Sequence, residues 1–475
     1  VVVLLATTLI ALRAAVPLLL ERSLDSDQAI VGLMAKHLSE LRTFPLFFYG
    51  QNYMLGVQAW LAAPFFLLGG PTPVMLRLPL VLLNIGVAIA LLATMTRLGL
   101  RPVLALVACL PLITTTPVIS DALVRPLGAA IGPFAWVLAL WGLRRRPLWW
   151  GVVFCLGVLH REFVVLALPA LVLAGWRTPW RWRSAEWLRA VVGSAGVWVL
   201  IDLLKRSING YGPAGGDIDA TSLTMQAKQL SLWLSLEGYA TRVWDFIARA
   251  IPDMFGAGPY AVHDYHGMFS SLTAGSWWAG AALGAAVLLC AIRLAAPGNT
   301  ARSSERLSMY LGLIGVLAIL TYGLNGGIDV TAMPVVRYGL FVLLLPVGLL
   351  AAFFFRESHS HWRHAVAGLV TAWALFTAID AARIVSEYRA SPPANPHREM
   401  ADYLVAHGIE YGYAQYWDAY IITFLAREEV VLASTGKVRI SAYGPLVAAH
   451  ADEAVTLVRQ PCDGSRRVSV WCIER

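Results

Sequence analysis

The stretch "RSLDSDQAIVGLMAKHL", Arg22–Leu38, follows directly on the apolar run "VVVLLATTLIALRAAVPLLL", Val1–Leu20. A run of that length, interrupted only by Arg13, is long enough to cross a bilayer. It has no small-residue cleavage site, so it reads as a first spanning helix with some N-terminal sequence missing, not as a signal peptide. Polar groups then crowd into Asp25, Asp27 and Gln28 before a helical pattern starts. Carboxylates at the mouth of a membrane either cap a helix or do chemistry there.

Composition agrees with a membrane chain. Of 475 residues, 58% are hydrophobic and 14% charged, with a mean hydropathy of +0.64. A soluble domain of this size is less apolar. Apolar length predicts about eleven spans: 1–20, 74–96, 102–118, 127–143, 148–159, 163–176, 187–204, 276–294, 307–324, 338–355 and 365–380. The fifth and sixth are short and can alternatively be one kinked helix. Eighteen Trp suit interfacial belts.

Arginine placement tests the count. Arg97 and Arg101, Arg144–Arg146, Arg177–Arg183, Arg293–Arg306 and Arg356–His364 all fall on one face if there are eleven spans. That face is expected to be cytoplasmic. Loops 21–73, 118–126, 160–162, 205–275 and 325–337 then share the outer face with the tail. The formal charge of +8 is thus topological, and nucleic acid is not expected as a partner. The expected division is a membrane domain, 1–390, and an outer α/β domain, 391–475, after the linker "SPPANP". In the tail, "HREMADYLVAHG" predicts a helix, "YGYAQYW" a strand, "DAYIITFLARE" a helix and "VVLAST" a strand. Cys462 and Cys472 flank an expected Asp-Gly hairpin turn, and a disulfide between them suits an oxidising face.

The outer loops concentrate ionisable residues: Asp25, Asp27, Asp121, "HRE" (His160, Arg161, Glu162) and Arg337. Charges at that depth are costly unless paired or used. Asp25 and Gln28 have capping-box spacing, and Asp27 in the first turn is either a helix-dipole partner or a general base. Ile30, Leu33, Met34, His37, Leu38 and Leu41 form one stripe, predicting an interfacial helix that lies on the bilayer. A second interfacial or re-entrant helix is expected from Met54, with Tyr49, Gln51, Asn52 and Tyr53 as a polar entrance. Arg161, Arg337, Arg125 and Lys205 or Arg206 can meet a lipid phosphate, or else pair internally, as Arg125 with Asp121 or Arg161 with Glu162. "HDYH", His263–His266, is a weak metal signal beside its ordinary reading as solvated loop. No nucleotide-binding or zinc-protease motif occurs.

These segments resemble the GT-C superfamily of membrane glycosyltransferases, nearest to the protein O-mannosyltransferase and aminoarabinose-transferase group. The matching residues are the acidic loop at Asp27, "GGPTPVMLRLP" (Gly69–Pro79), "SDAL" (Ser120–Leu123), "LGVLHREFVVLALPALVL" and "VRYGLFVLLLP" (Val336–Pro346). Gln28 stands where the group has Glu, and its usual Lys-Pro-Pro is missing near Tyr49. The tail is similar to the outer domain of bacterial members. The resemblance implies a polyprenyl-phosphate sugar donor and a glycan, lipid or protein acceptor, with membrane lipid around the chain. The site would face outward from the bacterial inner membrane. It implies a single inverting displacement, with Asp27 as general base and Asp121 orienting. Arg161 and Arg337, assisted by His160, would hold the leaving lipid phosphate. Tyr49, Gln51, Asn52, Tyr53 and Glu162 would line the entrance. No cofactor is implied, and a divalent metal is left open. A polytopic lipid or sugar transporter and an outer-face glycan polymerase or ligase are the alternatives.

Overall fold

The computed structural model of the protein describes residues 1–51, 53–127, 130–176, 182–207, 234–257, 277–295, 305–324, 339–459 and 466–474. The apolar segments are helical: α1 (Val2–Leu19), α4 (Pro73–Arg97), α5 (Pro102–Ile113), α6 (Pro117–Val124), α7 (Gly132–Leu143), α8 (Pro147–His160), α9 (Ala167–Gly175), α10 (Ser184–Ser207), α11 (Trp277–Ala295), α12 (Arg306–Tyr322), α13 (Leu344–Arg356) and α14 (Ser360–Ala390). The loop after α1 adds α2 (Ser26–Ser39) and α3 (Val57–Gly69). Local chemistry sets the starts. Proline occupies the first turn of α4, α5, α6, α7 and α8, where its missing N–H has no helical partner to lose. Among the described residues, five helices are long and apolar enough to cross a membrane, or six if α5 and α6 are one bent span.

That bend corrects the expected straight span over 102–118 and the loop over 118–126. The chain turns by 85° between α5 and α6. Pro117 forces Thr116 out of helical geometry, and the carbonyls around the break lose their partners. Side chains from other helices supply new ones. Arg13, buried within α1, donates from Nε to the Ile113 carbonyl (2.8 Å) and from Nη2 to Asn84 Oδ1 (2.7 Å). Asn84 in turn donates to the Leu123 carbonyl at the end of α6 (3.1 Å). A break at this depth is tolerated because it is sealed inside protein.

The basic segments gather at one end of the bundle. Arg97, Arg144 and Leu307 line one cleft. Trp182 donates to the Arg144 carbonyl (2.9 Å), Arg293 pairs with Glu357 (2.8 Å), and Arg356 pairs with Glu305.

Residues 396–474 build α15 (Pro396–Ala406), β1 (Tyr411–Ala414), α16 (Tyr416–Leu425), β2 (Val431–Ser434), α17 (Tyr443–Ala448), β3 (Val455–Arg459), β4 (Arg466–Val468) and β5 (Trp471–Glu474). The sheet order is β2-β1-β3-β5-β4. β1 runs parallel to β2 and β3, while β5 is antiparallel to β3 and β4. The strand expected over "YGYAQYW" stops at Ala414, because Gln415 accepts the Asp418 and Ala419 N–H groups and opens α16. The hairpin turn between β4 and β5 falls at Ser469–Val470, with Ser469 at φ +52°, not at the Asp-Gly pair, which lies outside the described residues. Cys472 is disulfide-bonded, whereas Cys109, Cys155 and Cys290 are free. Cys462 also lies outside the described residues.

One expectation for the first loop fails. α2 does not lie on the bilayer; ten of its fourteen residues are buried. Its second face, Ala29, Gly32 and Ala35, is small and uncharged and is buried as well, so both sides are covered. α3 and α4 cover one side, and the C-terminal sheet unit covers the other through Tyr420 and Phe424 of α16. A Cβ on Gly32 would stand 2.5 Å from the Phe424 ring, so only glycine admits this approach. Phe66 of α3 stacks on the same ring, with centroids 6.3 Å apart.

Candidate active site

The acidic stretch that opens the first loop splits its duties. Asp25 caps α2, accepting the Gln28 N–H (2.8 Å). The reciprocal half of the capping box is missing: the Gln28 side chain donates to the Ser23 carbonyl (3.2 Å) and faces Arg77. Asp27 is left to point elsewhere. Its Oδ1 accepts the hydroxyl of Tyr416, the first residue of α16.

Tyr416 is itself held firmly. Ser26 donates to its carbonyl (2.5 Å), and Arg439 Nε lies 3.4 Å from its hydroxyl. Arg439 is 4% exposed; it donates to the Gly50 carbonyl (3.1 Å) and lies over the Phe48 ring. Gly50, at φ +71°, is required here, since a Cβ would come within 2.7 Å of Arg439 Cδ. Lys437 sits 6.0 Å above the Tyr416 ring. Burial, then the charge of Asp27, pushes the Tyr416 phenol above its ordinary range, so it remains a donor. Burial and Arg439 lower Lys437, against the pull of Asp27. The neighbourhood of Asp27 is therefore a carboxylate faced by one phenol and two cations from the C-terminal unit.

Below this point, Arg77 fixes the approach. It is 1% exposed and donates to the Pro17 and Leu20 carbonyls (both 2.7 Å) and to Ser23 Oγ (3.0 Å). It thus ties the end of α1 to the start of the Asp27 turn. On the other flank Glu428 receives Lys36 (2.7 Å), His37 (2.9 Å), Arg42 and the Tyr443 hydroxyl (2.7 Å). Burial pushes its carboxyl up, but those donors outweigh burial and hold it well below the usual carboxylate range. Arg398 adds a bidentate pair with Glu21 (2.8 and 2.9 Å).

The other predicted residues take varied places. Asp121 is buried on α6 and pairs with Arg125 (2.7 Å), the internal pairing foreseen as an alternative. His160, the residue expected to assist at the lipid phosphate, ends α8 with 1% exposure. Trp136, which can only donate, reaches Nδ1 (2.8 Å). Nε2 lies 2.7 Å from the Gln58 side-chain nitrogen. With both nitrogens engaged, His160 buttresses α3 and α7. Arg161, partly exposed, donates to the Leu127 carbonyl (3.2 Å), and Glu162 opens the 3₁₀ turn before α9. Tyr49 is a buried strut between His37 Nδ1 and Thr43 Oγ1, each 3.0 Å away. Gln51 and Tyr53 flank it in the 46–55 loop, which is pinned to α8 by the Leu55 N–H on the Leu159 carbonyl (3.0 Å). Lys205 lies at the end of α10. Asn52, Arg337 and His263–His266 lie outside the described residues, as does the side chain of Arg206. Among the described residues no group of His, Cys, Asp and Glu is arranged to hold a metal.

A continuous set of contacts thus runs from Asp27 through Tyr416 and Arg439 to the Gly50 loop, and from that loop to Leu159, His160 and Arg161. Sequence reasoning found its acidic end and "HRE". It missed Tyr416, Arg439 and Arg77, although Arg77 sits inside the "MLRLP" element already singled out.

Solved structures of two other proteins share this fold. The aminoarabinose transferase ArnT from Cupriavidus metallidurans, in its apo state, superposes with a TM-score of 0.55 at 11% identity over 96% of this chain and 92% of ArnT. ArnT bound to undecaprenyl phosphate gives 0.54 at 11% identity, over 96% and 93%. The oligosaccharyltransferase of Archaeoglobus fulgidus, tethered to an acceptor peptide, gives 0.51 at 13% identity, over 96% of this chain and 68% of its own. No family profile and no curated protein sequence matches the chain.

Proposed function

We propose that the chain is a membrane glycosyltransferase that moves a sugar from a polyprenyl-phosphate donor to an acceptor hydroxyl. The observation that carries this is the placing of Asp27. It is a partly exposed carboxylate freed from capping by Asp25 and oriented by a phenol, at the mouth of a GT-C fold. ArnT, of the same fold, is the protein found with undecaprenyl phosphate. Asp27 takes the acceptor hydroxyl proton on Oδ2. The acceptor oxygen bonds to the anomeric carbon, inverting it, and the bond to the lipid phosphate oxygen breaks with its electron pair. Arg161 and Arg337 receive that phosphate, where charge develops. Asp121, with Arg125, shapes the acceptor side. Eleven crossings of a bacterial inner membrane, with the shorter apolar helices included, put Asp27 and an α/β domain over 391–475 on the outer face.

The test is sugar transfer from a panel of radiolabelled polyprenyl-phosphate sugars in membranes. Asp27→Asn is expected to lower the rate about 10²–10⁴-fold, the usual worth of a general base, with folded protein unchanged in amount. Full activity in Asp27→Asn would remove Asp27 from the chemistry.

A further inference from the structure

We infer that Tyr416 is a positioning residue for Asp27, and that the C-terminal sheet unit is thereby an integral part of the catalytic centre. This rests on the reading of Asp27 as general base. Three features point beyond simple packing. First, a partly buried phenol is turned to a carboxylate that has no capping duty. A hydrogen bond from a neutral donor to a charged acceptor favours the ionised, proton-accepting form. Second, Tyr416 is fixed from both ends. Ser26, adjacent to Asp27, holds its carbonyl, and Arg439 approaches its hydroxyl oxygen, so the phenolic proton is directed at Oδ1. Oδ2 is then the atom presented to the acceptor, and Tyr416 keeps its own proton throughout. Third, the Arg439 that aligns Tyr416 is immobilised. Its guanidinium bonds to the Gly50 carbonyl, and the Tyr420 hydroxyl accepts its backbone N–H (2.7 Å). Such a locked supporting shell is what a precisely oriented base requires.

The charged and titratable groups facing Asp27 are Tyr416 from α16, Lys437 and Arg439 from the segment after β2, and Asp25 on its own turn. Among them only Tyr416 hydrogen-bonds the carboxylate.

The experiment compares wild type, Asp27→Asn, Tyr416→Phe and Trp417→Phe in the transfer assay. Tyr416→Phe keeps the ring and its packing against Tyr420. It is expected to lower kcat about 10- to 100-fold, the scale of a hydrogen bond to a charged group. KM for the donor stays unchanged. Trp417→Phe, an exposed neighbour, leaves both unchanged. If Asp27→Asn is inactive while Tyr416→Phe matches wild type in kcat, this inference alone falls. A higher KM with kcat unchanged, or the same loss in Trp417→Phe, reduces Tyr416 to packing and also overturns it. A wild type that transfers no sugar overturns the underlying reading, and this one with it.

Discussion

Glu428 offers the sharpest test of how the C-terminal unit is held. Its side chain is 8% exposed and takes Lys36, His37, Arg42 and Tyr443, three of them from the first loop. Arg42 is 38% exposed, and water screens its share. Lys36 keeps a second partner, Glu40 at 2.9 Å. His37, fully buried, loses the carboxylate that faces its Nε2. Glu428→Gln therefore falls at the lower end of the range for breaking a buried pair, about 3 kcal/mol. At 1.4 kcal/mol per decade that is roughly a 100-fold rise in the open population. Amide hydrogen exchange reads it directly: residues 30–38 and 416–425 should exchange roughly 100-fold faster, while α12 and α13 stay unchanged. The pH dependence follows in sign. Glu428 is held below its ordinary value of 4.5 in the folded protein. Its stabilisation is thus complete above about pH 4.5 and declines as pH falls below that. The wild type should loosen at this interface on acidification, and the Gln variant should lack that component. Equal exchange in the two proteins at neutral pH would refute the clamp.

Two further substitutions probe the frame around Asp27. Gly32→Val drives side-chain atoms into the Phe424 ring and should cost about 1–3 kcal/mol of overpacking, seen as a lower Tm in detergent and earlier proteolysis of the C-terminal unit. Arg77→Ala removes a donor from the Pro17 and Leu20 carbonyls; Leu20 keeps Ser23, so the cost is about 1–3 kcal/mol for the Pro17 carbonyl, and a Tm equal to wild type would show that the α1 end is satisfied otherwise.

Much of the membrane part was legible because apolar length is a strong one-dimensional signal. The helices from Val2–Leu19 to Ser360–Ala390 fall where the runs predicted them. The bend between Ile113 and Pro117 was hidden. "TTTP" carries the local break, but its tolerance depends on Arg13 and Asn84, which are remote in sequence. The same limit applies to α2. Its stripe was visible, yet a helix with two apolar faces looks alike whether lipid or protein covers the second, and the covering Phe424 lies far along the chain. Asp25 as a cap was readable from its spacing to Gln28. Tyr416 as the partner of Asp27 was not, because no local pattern joins positions 389 residues apart. The surroundings of His160 were hidden for a related reason. Gln58 and Trp136, which enclose it, come from other elements.

The bonds joining Ser26 to Tyr416 and Lys36 to Glu428 span 390 and 392 residues. A ribosome working at about 5–20 residues per second makes the second partner roughly 20–80 s after the first. Throughout that interval α2 is already outside the ribosome with the Gly32 face bare. The chain therefore waits for its own last segment before its first loop can close. Premature termination between Ser391 and Tyr416 leaves a helix with one apolar side uncovered, a ready target for quality-control proteases, even though every membrane helix has been made.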